Sequence, residues 1–125
     1  MPRHFAAAVV LALVSQAGAQ PLPTDFPADA VAFSAEALQA RLAGKVFRVT
    51  RPDGNHWRVQ FKDNGYFFVN THNGFADDGR WRTEGSSVCI DPRRSQAGCS
   101  EMRAAGEQLY LKRAANGEVV RYELQ

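Results

Sequence analysis

From Lys45 to the C-terminus, apolar and polar side chains alternate, the period-two signature of strands with one face on a core. The stretch 56–62 (HWRVQFK) shows it best: Trp57, Val59 and Phe61 point one way, and His56, Arg58, Gln60 and Lys62 the other. Further strands are predicted at 46–50, 66–71, 80–84, 88–91, 100–103, 108–113 and 118–124. Turn signals separate them: Arg-Pro-Asp-Gly at 51–54, Asp-Asn-Gly at 63–65, Gly-Ser-Ser at 85–87, Ala-Gly at 105–106 and Asn-Gly at 116–117. Ahead of the strands, the pattern predicts one short helix from Ala35 to about Ala43. Ser34 is its cap, Glu36 lies in its first turn, Gly44 is its stop, and Leu38 and Leu42 share a face.

About eight short strands joined by hairpins form an antiparallel meander. Such a chain is mainly β, with one short N-terminal helix, and closes into a small barrel or folds into a sandwich. A barrel of eight strands is just wide enough to be filled by side chains or to hold one small ligand. The predicted strands are shorter than the roughly 9–11 residues of a membrane-spanning barrel strand. An oligonucleotide- or sugar-binding barrel of the OB type needs only five strands, fewer than predicted here.

The N-terminus departs from this pattern. Arg3 and His4 precede an apolar run at 5–14 (FAAAVVLALV), and Ala17-Gly18-Ala19 follows. A charged start, a short apolar stretch and a small-x-small end predict a secretory signal peptide over 1–19, cut before Gln20. The run is too short for a spanning helix, which needs about 20 apolar residues. Residues 20–33, with Pro21, Pro23 and Pro27, are expected to be an extended leader, and 34–125 a single β-barrel-like domain. The expected location is periplasmic or secreted, with no membrane span after processing. Cys89 and Cys99, an even pair in an exported chain, are predicted to form a disulfide across a segment that Pro92 and Gly98 turn back. A redox or metal pair is the alternative, but there is no C-x-x-C and no nearby His.

Charge excludes more than it suggests. Fifteen Lys and Arg against 13 Asp and Glu leave a formal charge of +2, so nothing in the balance points to nucleic acid. The order Leu42-Ala43-Gly44-Lys45-Val46-Phe47, then Asp53-Gly54, Trp57, Gly65-Tyr66-Phe67, Gly79-Arg80-Trp81-Arg82, Val88-Cys89-Ile90, Cys99, Gln108-Leu109-Tyr110-Leu111 and Gly117 resembles a family of uncharacterised exported bacterial proteins, a domain of unknown function. The resemblance spans roughly 35–124. It implies a small lipocalin-like β-fold in the periplasm, and it implies no activity and no residue role.

Candidate chemistry is sparse. Ser86, Ser87 and Ser95 sit in turns without a nucleophile elbow, and Asp63, Asp77 and Asp78 read as turn residues rather than a catalytic carboxylate pair with Glu84. His72 with Asp77 and Asp78 matches no metal-ligand spacing and reads as a solvated loop; Asp77-Asp78-Gly79 lacks the alternating carboxylates of a calcium loop. No catalytic residue, metal or cofactor is assigned. Two binding surfaces remain. Trp57, Phe61 and Trp81 would line an interior pocket for a small apolar or aromatic ligand. Arg58, Arg80 and Arg82, with Arg93 and Arg94 in the disulfide loop, would face an anionic partner. The expectation is a non-enzymatic small-ligand-binding or accessory module. The alternative is a protein-interaction module, such as a hydrolase inhibitor or an envelope-stress factor, using the loop 92–98.

Overall fold

A computed structural model describes residues 22–125; the predicted signal peptide lies outside the described residues. In chain order the elements are β1 (Val31–Ala32), α1 (Ala35–Leu42), β2 (Lys45–Thr50), β3 (His56–Phe61), β4 (Tyr66–Thr71), β5 (Ala76–Glu84), β6 (Ser87–Pro92), β7 (Gly98–Ala105), β8 (Gln108–Lys112) and β9 (Val119–Leu124). Strands β2 to β9 pair antiparallel with their sequence neighbours, and β9 pairs back onto β2 with Phe47 opposite Leu124 and Arg48 opposite Glu123. The meander is therefore a closed eight-stranded barrel, in which each of these eight strands has a neighbour on both sides.

β1 is an extra strand inside the stretch expected to be an extended leader. Val31 faces Ala104 and Ala32 faces Arg103 on β7, beyond the point where β6 stops at the Ser87–Glu101 pair. The addition is pinned by the Phe33 N–H, which donates to Ser86 Oγ at 2.9 Å.

Alternation sorts the side chains as the pleat demands. Phe47, Val49, Val59, Phe61, Phe67, Trp81, Val88, Met102, Leu109, Leu111, Val120 and Tyr122 point inward and form one core. Helix α1 plugs the lower end, where β2 begins and β3, β5 and β7 finish. Ser34 Oγ accepts from the Ala37 N–H as the cap, and Leu38 and Leu42, the two apolar positions four apart, have no exposed surface. Thr83 Oγ1 donates to Ala35 O at 2.8 Å and ties the helix start to β5. The interior is filled by rings in edge contact: Phe47 with Phe61 at 6.1 Å and Phe61 with Trp81 at 5.2 Å.

The largest departure from the sequence reading is β5. It starts at Ala76 rather than Arg80, so Asp77 and Asp78 lie on a strand and not in a turn. Gly79 makes the extension possible. A Cβ there would lie 2.1 Å from Asp91 O and 2.8 Å from Pro92 Cα, so only glycine lets the end of β6 approach this closely.

Candidate functional site

The outer wall of β2 to β5 carries the basic residues that the alternation sends outward. Arg48 on β2 and Arg58 on β3 are directly opposite each other, and Arg58 in turn faces Asn70 on β4. Gln60 faces Phe68, Phe68 faces Asp78, and Tyr66 faces Arg80. The Arg80 guanidinium lies 4.6 Å from the centre of the Tyr66 ring and the Lys62 ammonium 5.9 Å from that of Phe68. Both rings remain partly exposed. Among the described residues, Arg48, Arg58, Lys62 and Arg80 have no carboxylate within 4 Å.

The five arginines singled out from the sequence have different partners. Arg58 and Arg80 lie on this wall two strands apart. Arg82 is joined to Glu84 at 3.1 Å, in the row that leads to the disulfide. Arg93 reaches Asp78 at 3.5 Å, and Arg94 stacks on Phe75 at 4.9 Å while donating to Ala76 O. The sequence reading did not include Arg48. Its signal was in the alternation of β2, but the register that sets it against Arg58 is a property of the pairing.

The loop between β6 and β7 is built, not slack. Cys89 and Cys99 are paired across the two strands and joined by a disulfide, with Cα atoms 4.0 Å apart. Glu84 lies beside Cys89, but with both sulfurs bonded to each other the group offers no thiolate to a metal. Asp77, only 4% exposed, accepts from the N–H groups of Asp78, Arg94 and Ser95 at 2.9, 3.1 and 2.9 Å and from the Ser95 hydroxyl. Burial pushes the Asp77 carboxyl up. The Ser95 hydroxyl and the three N–H groups outweigh it and hold the group below its ordinary range. Asp77 is thus a buried anchor for the loop, and the exposed residues Arg93 to Ala97 are what it presents.

The aromatic trio lies elsewhere. Phe61 and Trp81 are buried in the core, and the Trp81 indole N–H donates to Lys62 O at 2.9 Å. Trp57 is half-buried at the upper end, under the Arg113 guanidinium at 5.3 Å. Phe61 and Trp81 fill the barrel against each other, and Trp57 packs on the core from its upper end. Tyr122 is also fully packed; burial pushes its hydroxyl up to about 12, against the opposing influence of Trp57 and Arg113.

Two of the recesses among the described residues bear on a ligand site. One of about 330 Å³, by the end of α1, is lined by Phe47, Leu109 and Tyr122 with Arg41 and Lys45. Those three apolar side chains are themselves buried and present almost no surface to a ligand, whereas Leu124, which also lines the recess, is exposed. The other, of about 280 Å³, lies under Pro23 and Pro27 beside Arg51 and Glu118. Glu118 is 2% exposed, and its Oε1 accepts from Arg51 Nε at 2.7 Å. That bond holds the Arg51 guanidinium above its ordinary range, while Arg113 stands 3.8 Å from Oε2.

At the same upper end the His56 and His72 rings stand 5.1 Å apart, and the His72 N–H donates to His56 O at 3.0 Å. His72 is therefore placed with His56. Asp77 is committed to the loop and Asp78 to Arg93, so the grouping of His72 with these two carboxylates is not formed.

Comparison of the chain with protein-family models, with curated proteins and with solved structures gives no match. Any role must therefore come from the geometry. Among the described residues no helix is long and apolar enough to cross a membrane.

Proposed function

We propose that this protein is a non-enzymatic accessory or binding module that meets an anionic partner on the outer wall of β2 to β5. The supporting observation is the set of four cations there, Arg48, Arg58, Lys62 and Arg80, that lack a carboxylate within 4 Å while sharing the wall with half-exposed Tyr66 and Phe68. Arginine beside aromatic surface is the composition of binding hot spots. The ring beneath a guanidinium holds its plane and leaves its N–H edges free for oxyanions. An interior ligand is disfavoured, because Phe61 and Trp81 occupy the space one would take. The disulfide supports an exported, oxidising setting, in keeping with the signal-like N-terminus.

The test is retention on an immobilised polyanion over a salt gradient. Wild type is expected to bind at low salt and elute as ionic strength rises, and the double variant Arg58→Gln, Arg80→Gln to elute earlier. Equal elution of the two would refute the reading.

A second reading, a protein-interaction module using the loop 92–98, is favoured by Asp77. A buried carboxylate with three donors from the loop fixes it in one shape, and preorganisation of this kind lowers the cost of docking.

A further inference from the structure

Eleven arginines lie among the described residues, and nine of them have a partner within the protein. Arg51, Arg82, Arg93, Arg103, Arg113 and Arg121 reach carboxylates; Arg41 and Arg94 donate to backbone carbonyls; Arg80 lies over Tyr66. Arg48 and Arg58 alone have no ion pair, hydrogen bond or ring among the described residues, and these two are opposite each other in the β2–β3 register. Directly opposed side chains in an antiparallel pair have Cβ atoms only about 4.5–5.5 Å apart, and like charges there are destabilising. The carboxylate nearest in register, Glu123 opposite Arg48, is bonded to Arg121 instead. The wall therefore holds two directly opposed arginines with their side-chain donors unused and a repulsion that a bridging oxyanion would relieve.

Resting on the outer-wall reading, we infer that Arg48 and Arg58 clamp the carboxylate groups of an acidic polysaccharide. The carboxylate is the planar acceptor that matches the guanidinium fork. Asn70, next in the same row, adds an amide that can donate to or accept from a sugar hydroxyl. The neighbouring outward positions on β4 are Phe68 and Tyr66; Arg80 already covers one face of the Tyr66 ring, and the partly exposed Phe68 ring offers flat apolar surface. A uronic acid chain supplies both features, a charge on each residue and the C–H face of a ring. An acidic peptide lacks the ring. A polyphosphate chain lacks the ring as well. The disulfide fits an exported, oxidising setting, where surface glycans are among the polyanions a protein meets.

The experiment is calorimetric titration of the intact, disulfide-bonded protein with a galacturonic acid oligomer. Its methyl-esterified form, a glutamate oligomer and a thymidine oligonucleotide serve as comparison probes. The acid oligomer is expected to bind best and the esterified one not at all. Arg48→Gln and Arg58→Gln are each expected to weaken binding about tenfold or more. Arg103→Gln, on the far wall, should leave it unchanged. Both clamp variants should also melt at or slightly above the wild-type temperature, because each removes a repulsion. Wild-type affinity in Arg48→Gln and Arg58→Gln, with loss in Arg80→Gln, would overturn the clamp and leave the outer-wall reading standing. So would a clear fall in melting temperature on either clamp substitution. Tighter binding of the glutamate oligomer or the oligonucleotide would overturn the polysaccharide assignment. Failure of wild type to bind any anionic probe would remove the outer-wall reading itself.

Discussion

Asp77 accepts three of its four hydrogen bonds from one loop, and Glu118 directs its buried carboxylate at two arginines. Asp77→Asn replaces acceptor lone pairs with N–H groups that face other N–H groups. It should cost about 1–3 kcal/mol in chemical denaturation and speed amide exchange at Arg94 and Ser95; unchanged exchange would speak against the anchor. The sign of its pH dependence follows from its depressed titration. The contribution is complete above the ordinary value of 3.8 and is lost as pH falls through the lower folded value. The gap between wild type and Asp77→Asn should therefore narrow below about pH 4.

For the Glu118 pair, Arg51→Ala leaves a carboxylate that is 2% exposed with only the more distant Arg113, while Glu118→Ala leaves a guanidinium that is 18% exposed. Both fall in the range of about 3–5 kcal/mol for breaking a buried pair, with Arg51→Ala the more damaging. The reverse order in thermal melts would contradict this account. Neither role was legible in the sequence. Asp-Asp-Gly has the composition of a turn, and Glu118 reads as an ordinary polar position at a strand start, because what each touches is far away along the chain.

Elements were more legible than contacts. The strands β2 to β9 follow from period-two alternation broken by glycine turns, and α1 from its Ser34 cap and the Leu38–Leu42 spacing. β1 was not legible, because a two-residue strand has no period and owes its existence to the free stretch of β7 beyond β6. The early start of β5 was masked in the same way, since Gly79 reads as a turn residue when it marks a close approach of two backbones. Gly79→Ala should show the difference. The new methyl meets the Asp91 carbonyl and the Pro92 Cα, both backbone, so β5 and β6 must separate at a cost of about 3 kcal/mol or more. A urea midpoint close to wild type would mean that the approach is not tight.

At the scale of the molecule, the strand count was legible but left a barrel and a sandwich open until β9 is seen to pair with β2, and the state of the interior was not legible. Whether eight strands enclose a pocket depends on how Phe47, Phe61 and Trp81 meet in space, and they meet edge to face in a filled core. The arginines were visible as a group, but sorting the paired from the unpaired required the register that sets Arg48 against Arg58. The disulfide closes a loop with a sequence separation of 10, and its reduction should lower stability by about 2.5–3 kcal/mol. Denaturation with and without reductant reads this directly, and coincident curves would contradict it.

The central claim, a filled barrel that binds from outside, is tested most directly by chemical-shift mapping during titration with a galacturonic acid oligomer. The account predicts movement of the Arg48, Arg58 and Arg80 side-chain N–H signals, with the methyls of Val49, Met102 and Leu109 unmoved. Shifts concentrated on those core methyls and on the Trp81 indole, with the arginine signals still, would contradict it.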